Sequence, residues 1–318
     1  MSNNLPWVEK YRPSNLNNIL SQPHVTDTLR NFINNKKLPH MIFYGPAGTG
    51  KTSSIVSCAK EIYGDNYNMM VLELNASNDR GINTVRQQVK DFASNCQFFV
   101  KGVMLVILDE ADAMTYDAQF ALRRIIENYS NNVRFCLICN YISKIIQAIQ
   151  SRCILFRFYP LENNIINEKL LEICKSEKIR TNSKGVKTIT ELCHGDLRVA
   201  INLLQSIYLA KGKLDVKSVY LFSGLPTPKE SKMLLKSILK NKSFFKNLKI
   251  IDDLILNGIS LNDIINILGE NIISKNINDN DKMNLISKLA DIQKKLNITN
   301  DEKPYVNELA SLHNILRE

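Results

Sequence analysis

Through the first half of the chain, short apolar runs alternate with segments whose apolar residues recur at helical spacing. The runs are Met41-Ile42-Phe43-Tyr44, Met69-Met70-Val71-Leu72-Glu73-Leu74, Val103-Met104-Leu105-Val106-Ile107-Leu108, Phe135-Cys136-Leu137-Ile138-Cys139 and Ile154-Leu155-Phe156-Arg157-Phe158. Each has strand length. The third carries no polar residue, the pattern of a strand buried on both faces of a parallel sheet. Before the first run, Val25, Leu29, Phe32 and Ile33 share one face of a helix over 22–35. Ile55, Val56, Ala59, Ile62 and Tyr63 share a face of another, closed by Gly64. Further helices are predicted near 82–93 and 117–128. Strands alternating with helices as far as residue 158 predict an α/β fold built on an open, mostly parallel sheet. Ligands of such sheets sit at the carboxyl ends of the strands.

At Pro160 the pattern changes. Strand signals give way to helices near 162–177, 184–193 and 196–210, the last with Asp196 as its N-cap candidate. Thr227-Pro228-Lys229-Glu230 then reads as a capping box with proline at the first helical position. Helices follow from there, with Leu261, Ile264, Ile265 and Leu268 on one apolar stripe and Leu285, Leu289 and Ile292 on another. The expected domains are 1–160, α/β; 161–224, small and helical; and 225–318, all-helical. At the start of the first, Leu5 to Pro13 holds the single tryptophan and two prolines, which predict an irregular arm rather than a helix.

Composition changes this picture little. Across 318 residues, Lys and Arg outnumber Asp and Glu by 41 to 31, a formal charge of +10. That balance suits contact with a polyanion such as DNA, and equally a generally basic soluble protein. No apolar run approaches a membrane span, and Met1-Ser2-Asn3-Asn4 is polar rather than signal-like. The 7 cysteines are odd in number and fall mostly inside apolar runs, which suits reduced thiols. Cys136 and Cys139 have C-x-x-C spacing. On an extended strand they face opposite sides, and no second ligand pair stands nearby, which speaks against zinc or redox chemistry.

The chemistry concentrates at Gly45-Pro46-Ala47-Gly48-Thr49-Gly50-Lys51-Thr52, placed between a strand and a helix. In that context G-x-x-x-x-G-K-[ST] is a phosphate loop. Glycines let successive N–H groups point inward as an anion cradle, and the helix N-terminus adds its partial positive charge. Lys51 reaches phosphate and the Thr52 hydroxyl can ligate Mg²⁺, so the chain is expected to bind a nucleoside triphosphate. Asp109 and Glu110 end the most apolar strand; they can serve as magnesium ligand and water-polarising base, or simply as acids favoured by a helix N-terminus. Asn140 ends the next strand, where a γ-phosphate sensor would lie. Arg198 falls in the first turn of its helix, an unfavourable place for a cation without an anionic partner.

Taken together with Ser151-Arg152-Cys153, these motifs resemble the small subunits of replication factor C, a clamp-loading branch of the AAA+ ATPases. The likeness is dense over 5–160, clear to 224 and thin beyond. It implies a P-loop domain, a helical lid and a helical collar, assembled as a heteropentamer with other replication factor C subunits. Such a ring opens the PCNA sliding clamp with ATP and Mg²⁺ and loads it onto primer–template DNA in the nucleus, with no membrane involved. By matching position, the resemblance makes Lys51, Asp109, Glu110, Asn140 and Arg198 catalytic, with Thr52 and Asp109 on the metal. Val8, Tyr11, Arg12 and Pro13 would line the adenine pocket, and Arg152 would act in the neighbouring subunit's site. Gln119 would couple DNA contact to the Asp109–Glu110 end, Arg80, Arg86 and Lys90 would face the DNA backbone, and Phe98 and Phe99 the clamp. Ala47 departs from the family's usual second proline. The alternative within the same ring is a scaffold subunit that binds ATP with little hydrolysis of its own.

Overall fold

The computed structural model describes residues 5–20, 22–35, 37–77, 87–93, 102–241, 243–275, 277–299 and 302–317. The chain divides into two compact units, Met1–Gln205 and Ser206–Glu318. In the first, five parallel strands form one sheet: β1 (Met41–Tyr44), β2 (Val71–Asn75), β3 (Met104–Asp109), β4 (Val133–Cys139) and β5 (Ile154–Arg157), in the order β2-β3-β4-β1-β5. The register sets Asn75 beside Asp109 and Tyr44 beside Cys139, so the strands finish level with one another. All of the chemistry predicted for strand ends therefore arrives along one edge.

Both faces of the sheet are covered, which explains why Met104 to Leu108 of β3 include no polar residue. One layer buries Leu108, Leu122, Ile125, Phe135, Leu137 and Cys139. The other buries Leu29, Phe43, Ile55, Ile107, Cys136 and Ile138. Each such aliphatic or aromatic side chain contributes about 1.5–3 kcal/mol when fully buried. Cys136 and Cys139 thus lie on opposite faces, as strand alternation requires. Burial pushes the Cys139 thiol up to about 12 and the Cys136 thiol well above its usual value, so neither is a ready nucleophile.

Local signals place the helices. Thr115 accepts a hydrogen bond from the Ala118 N–H at 3.3 Å and starts the helix Tyr116–Tyr129. In the second unit, Asp215 caps Val216–Ser223, and Thr227 with Glu230 forms the capping box of Pro228–Lys236. The remaining α-helices described there are Phe244–Leu256, Leu261–Ser274, Asp279–Leu296 and Lys303–Ala310. Their core takes in both predicted stripes, including Leu261, Leu268, Leu285 and Ile292. Inside it, Asn247 accepts from the Ser237 hydroxyl at 2.6 Å and donates to the Ala310 carbonyl at 3.1 Å. That satisfies an amide which would otherwise be costly to bury.

Two expectations are corrected. The arm is not irregular throughout: Trp7–Lys10 forms one helical turn, with Pro6 outside it as N-cap, where its missing N–H costs nothing. Trp7 is buried, and its N–H donates to Gln205 Oε1 at 3.0 Å. Met69 and Met70 belong to a helical turn, Tyr67–Met70, so the second strand starts only at Val71.

Candidate active site

The first strand leads straight into the phosphate loop. At Gly45, with φ of +143°, an added Cβ would stand 2.2 Å from the Phe158 carbonyl oxygen, so no larger residue fits. The loop closes on Lys51, the first residue of the helix Lys51–Tyr63. Its ammonium is buried and donates to the Gly45 and Pro46 carbonyls, both at 2.7 Å, and to Asn140 Oδ1 at 3.0 Å. Burial lowers the Lys51 pKa, opposed chiefly by the nearby Asp109 carboxylate. A cation so desolvated gains most from an anion brought to it.

The neighbouring strand ends supply the acids. Thr52 Oγ1 donates to Asp109 Oδ2 at 2.8 Å, which puts two hard oxygen donors side by side. Asp109 Oδ1 accepts from the Glu110 N–H at 2.9 Å. Glu110 itself is exposed and sits at φ 55°, in the left-handed region that non-glycine residues rarely occupy. Backbone strain of this kind collects at functional sites. Asp112 Oδ2 then accepts from the N–H groups of Asn140 and Tyr141, at 3.2 and 3.3 Å, tying the end of β4 to the acidic turn. Gln119 makes a second tie deeper down. Buried, it donates to the carbonyls of Met114 and Lys144 and accepts from the Ile146 N–H at 2.8 Å.

Over the loop lies the start of the helix Leu197–Lys211. Asp196 Oδ1 accepts from the N–H groups of Arg198 and Val199, at 2.8 and 3.2 Å, as expected of an N-cap. The same oxygen approaches Gly48 so closely that an added Cβ would come within 1.8 Å of it. Gly48 is also at φ +67°. Replacing it with alanine should therefore strain the loop and dislodge the cap beneath Arg198 together. Each effect is worth about 1 kcal/mol, so nucleotide affinity should fall roughly tenfold or more, read by fluorescent-nucleotide titration. Unchanged affinity would show that the loop and the cap are not coupled.

A cavity of about 340 Å³ joins these parts, within the size range of small-molecule sites. Ala47 to Thr52, Asp109, Glu110, Asn140 and Arg198 line it, and so do Val8, Tyr11, Arg12 and Pro13. Gly45 and Pro46 hold Lys51 from below instead. Glu177 fastens the arm: it accepts from Tyr11 Oη at 2.5 Å and pairs with Lys10 Nζ at 2.6 Å. Burial, with help from that hydrogen bond, raises the Tyr11 hydroxyl to about 12. Arg152 does not line the cavity. Lys90 lies exposed on residues 87–93, while Arg80, Arg86, Phe98 and Phe99 fall outside the described residues.

Comparison with known proteins agrees along the whole chain. The family of ATPases associated with various cellular activities (AAA) matches 41–161, an RCF1/5-like AAA+ ATPase lid domain 168–209, and a replication factor C C-terminal domain 226–310. Human replication factor C subunit 5 is 44% identical over 317 residues, 99% of this chain and 93% of the human one. Replication factor C subunit 3 of Saccharomyces cerevisiae is 45% identical, over 91% of this chain and 87% of the yeast one. The chain belongs to the replication factor C family. It is an AAA+ ATPase of the clamp-loader small-subunit type, a fold that implies nucleotide binding. The Holliday junction branch migration motor RuvB of Thermotoga maritima shares the fold, with a TM-score of 0.53 at 16% identity over 72% of this chain and 80% of its own.

Within this replication factor C chain, several cavity residues had no sequence signal attached. Ile19, Leu20, Leu161, Lys169, Leu197 and Ile201 are among them. The adjacent apolar pair Ile19-Leu20, outside any helical or strand pattern, could have pointed to a binding surface. Lys169 could not, because a lysine on a lid helix reads as solvated until the helix is docked.

Proposed function

We propose that this chain is an ATP-hydrolysing member of a heteropentameric ring that opens the PCNA sliding clamp and loads it onto primer–template DNA in the nucleus. The observation that supports this most is the completeness of one cavity: Lys51, the Thr52–Asp109 pair, Glu110, Asn140 and Arg198 all converge there. A scaffold that merely bound ATP would need neither Glu110 nor the network that holds Asn140.

The roles follow from chemistry. Backbone N–H groups of the loop and the first turn of Lys51–Tyr63 would cradle the phosphates, with Lys51 balancing their charge. Mg²⁺ fits the hydroxyl and carboxylate of Thr52 and Asp109, and would supply charge neutralisation when bound. Glu110 would orient the attacking water and take its proton. Asn140, held by Lys51 and through its backbone by Asp112, would sense the terminal phosphate, and Arg198 would approach it from the lid. Val8, Tyr11, Arg12 and Pro13 would surround the base.

Arg152 would serve the neighbouring subunit as an arginine finger. The domains would be 1–160 for nucleotide, 161–224 as lid and 225–318 as collar. Arg80, Arg86 and Lys90 would touch DNA phosphates, giving binding without sequence preference, and Phe98 with Phe99 would touch the clamp. Co-purification with four related AAA+ subunits, followed by ATP-dependent loading of the clamp on primed DNA, tests the proposal. Loading should require this chain; an assembled ring that loads clamps while this cavity stays empty at saturating ATP would overturn it.

A further inference from the structure

The helix Tyr116–Tyr129 ends with a charge in the wrong place. Glu127 lies in its last turn, where the helix dipole disfavours an anion. What compensates it is a pair of guanidinium groups. Arg123 Nε donates to Glu127 Oε1 at 3.0 Å, the expected partner one turn back on the same helix. Arg152 Nη2 comes from a different segment and lies 2.6 Å from the same oxygen. Together the two arginines, Arg123 foremost, hold the Glu127 carboxyl below the usual carboxylate range.

Among the described residues, the other contacts of Arg152 are with its own turn. Its Nη1 donates to the Ala148 carbonyl at 2.7 Å and reaches Ser151 Oγ at 3.4 Å. A guanidinium carries five N–H donors in a rigid fork. These contacts occupy both Nη1 hydrogens and one side of Nη2. Among the described residues, Nε–H and the outer edge of Nη2 have no protein acceptor, and the side chain is about a third exposed. The arrangement therefore fixes one edge of the fork and presents the other. Arginine also loses among the largest rotamer entropies of any side chain when it is ordered, so an arginine already stationed loses less on meeting its target.

We propose that Glu127 is the positioning residue for the arginine this chain lends to its neighbour, stationing the Arg152 guanidinium so that its outward edge meets the neighbouring ATP. This rests on the reading that Arg152 acts in trans. Glu127 touches no nucleotide; it acts through Arg152 alone, with Arg123 keeping its carboxylate turned to the right side.

The test uses the reconstituted ring, with every site but the neighbouring one silenced, and single-turnover ATP hydrolysis as readout. Glu127→Gln should slow the neighbour's hydrolysis about three- to tenfold, the scale on which an exposed charge pair acts. ATP affinity at that site should not change, a split that loss of ring structure would not produce. Glu127→Gln combined with Arg152→Ala should be no slower than Arg152→Ala alone, because the carboxylate has nothing left to position. A wild-type or faster rate for Glu127→Gln would overturn the inference, the faster rate meaning that the carboxylate withholds the arginine. Losses that multiply in the double variant would overturn it too. If Arg152→Ala itself hydrolysed normally next door, the trans reading would fall first, and that result is separable from the Glu127 one.

Discussion

Glu110→Gln should leave ATP bound in this chain's cavity while slowing its hydrolysis by about 10²–10⁴, the usual contribution of a positioned general base. Glutamine has the same shape, and its backbone N–H can still donate to Asp109 Oδ1 as Glu110 does. The Thr52–Asp109 pair, which would carry the metal, is untouched, so affinity should hold. What is lost is the ability to take a proton from water. The left-handed backbone at Glu110 adds a second expectation. Glycine there would relieve the strain and raise stability slightly, yet hydrolysis would fall as far, separating the side chain's role from the turn's. Filter binding of ATP with single-turnover hydrolysis in the assembled ring makes the measurement. Equal turnover for Glu110→Gln and wild type would remove Glu110 as the base.

The sheet was legible because its information is local. Runs such as Val103 to Leu108 carry the signature of two-sided burial within themselves, and β3 lies buried between two layers as that signature says. The phosphate loop was legible for the same reason: its glycines, lysine and threonine lie within eight consecutive residues. What escaped reading depends on partners far away in the chain. The turn Trp7–Lys10 is held by a hydrogen bond to Gln205, which no window around two prolines contains. Nothing in the residues around Asp112 marks it as the acceptor of two N–H groups beyond β4. The need for glycine at position 48 was readable from the loop, whereas the oxygen that enforces it belongs to Asp196, 148 residues later. Local patterns name the parts of this site, and long-range packing joins them.

Arg152→Ala should abolish most hydrolysis at the neighbouring subunit while this chain keeps its own ATP. An arginine finger is worth about 10³–10⁵ in rate, so an effect of that order is expected next door. The structure argues that the loss would be chemical rather than structural. Arg152 lies outside this chain's cavity, and its ion pair with Glu127 is exposed, a kind of contact that adds little to folding stability. Melting temperature and ring assembly should therefore stay close to wild type. Arg152→Lys sharpens the point. Lysine keeps the charge but lacks the planar fork, so it could still pair with Glu127 and yet fail to offer a second set of donors to a phosphate. Its rate should fall nearer to alanine than to arginine. A lysine variant hydrolysing at the wild-type rate would mean that charge alone suffices; an alanine variant doing so would mean that the neighbour's site is completed by some other residue.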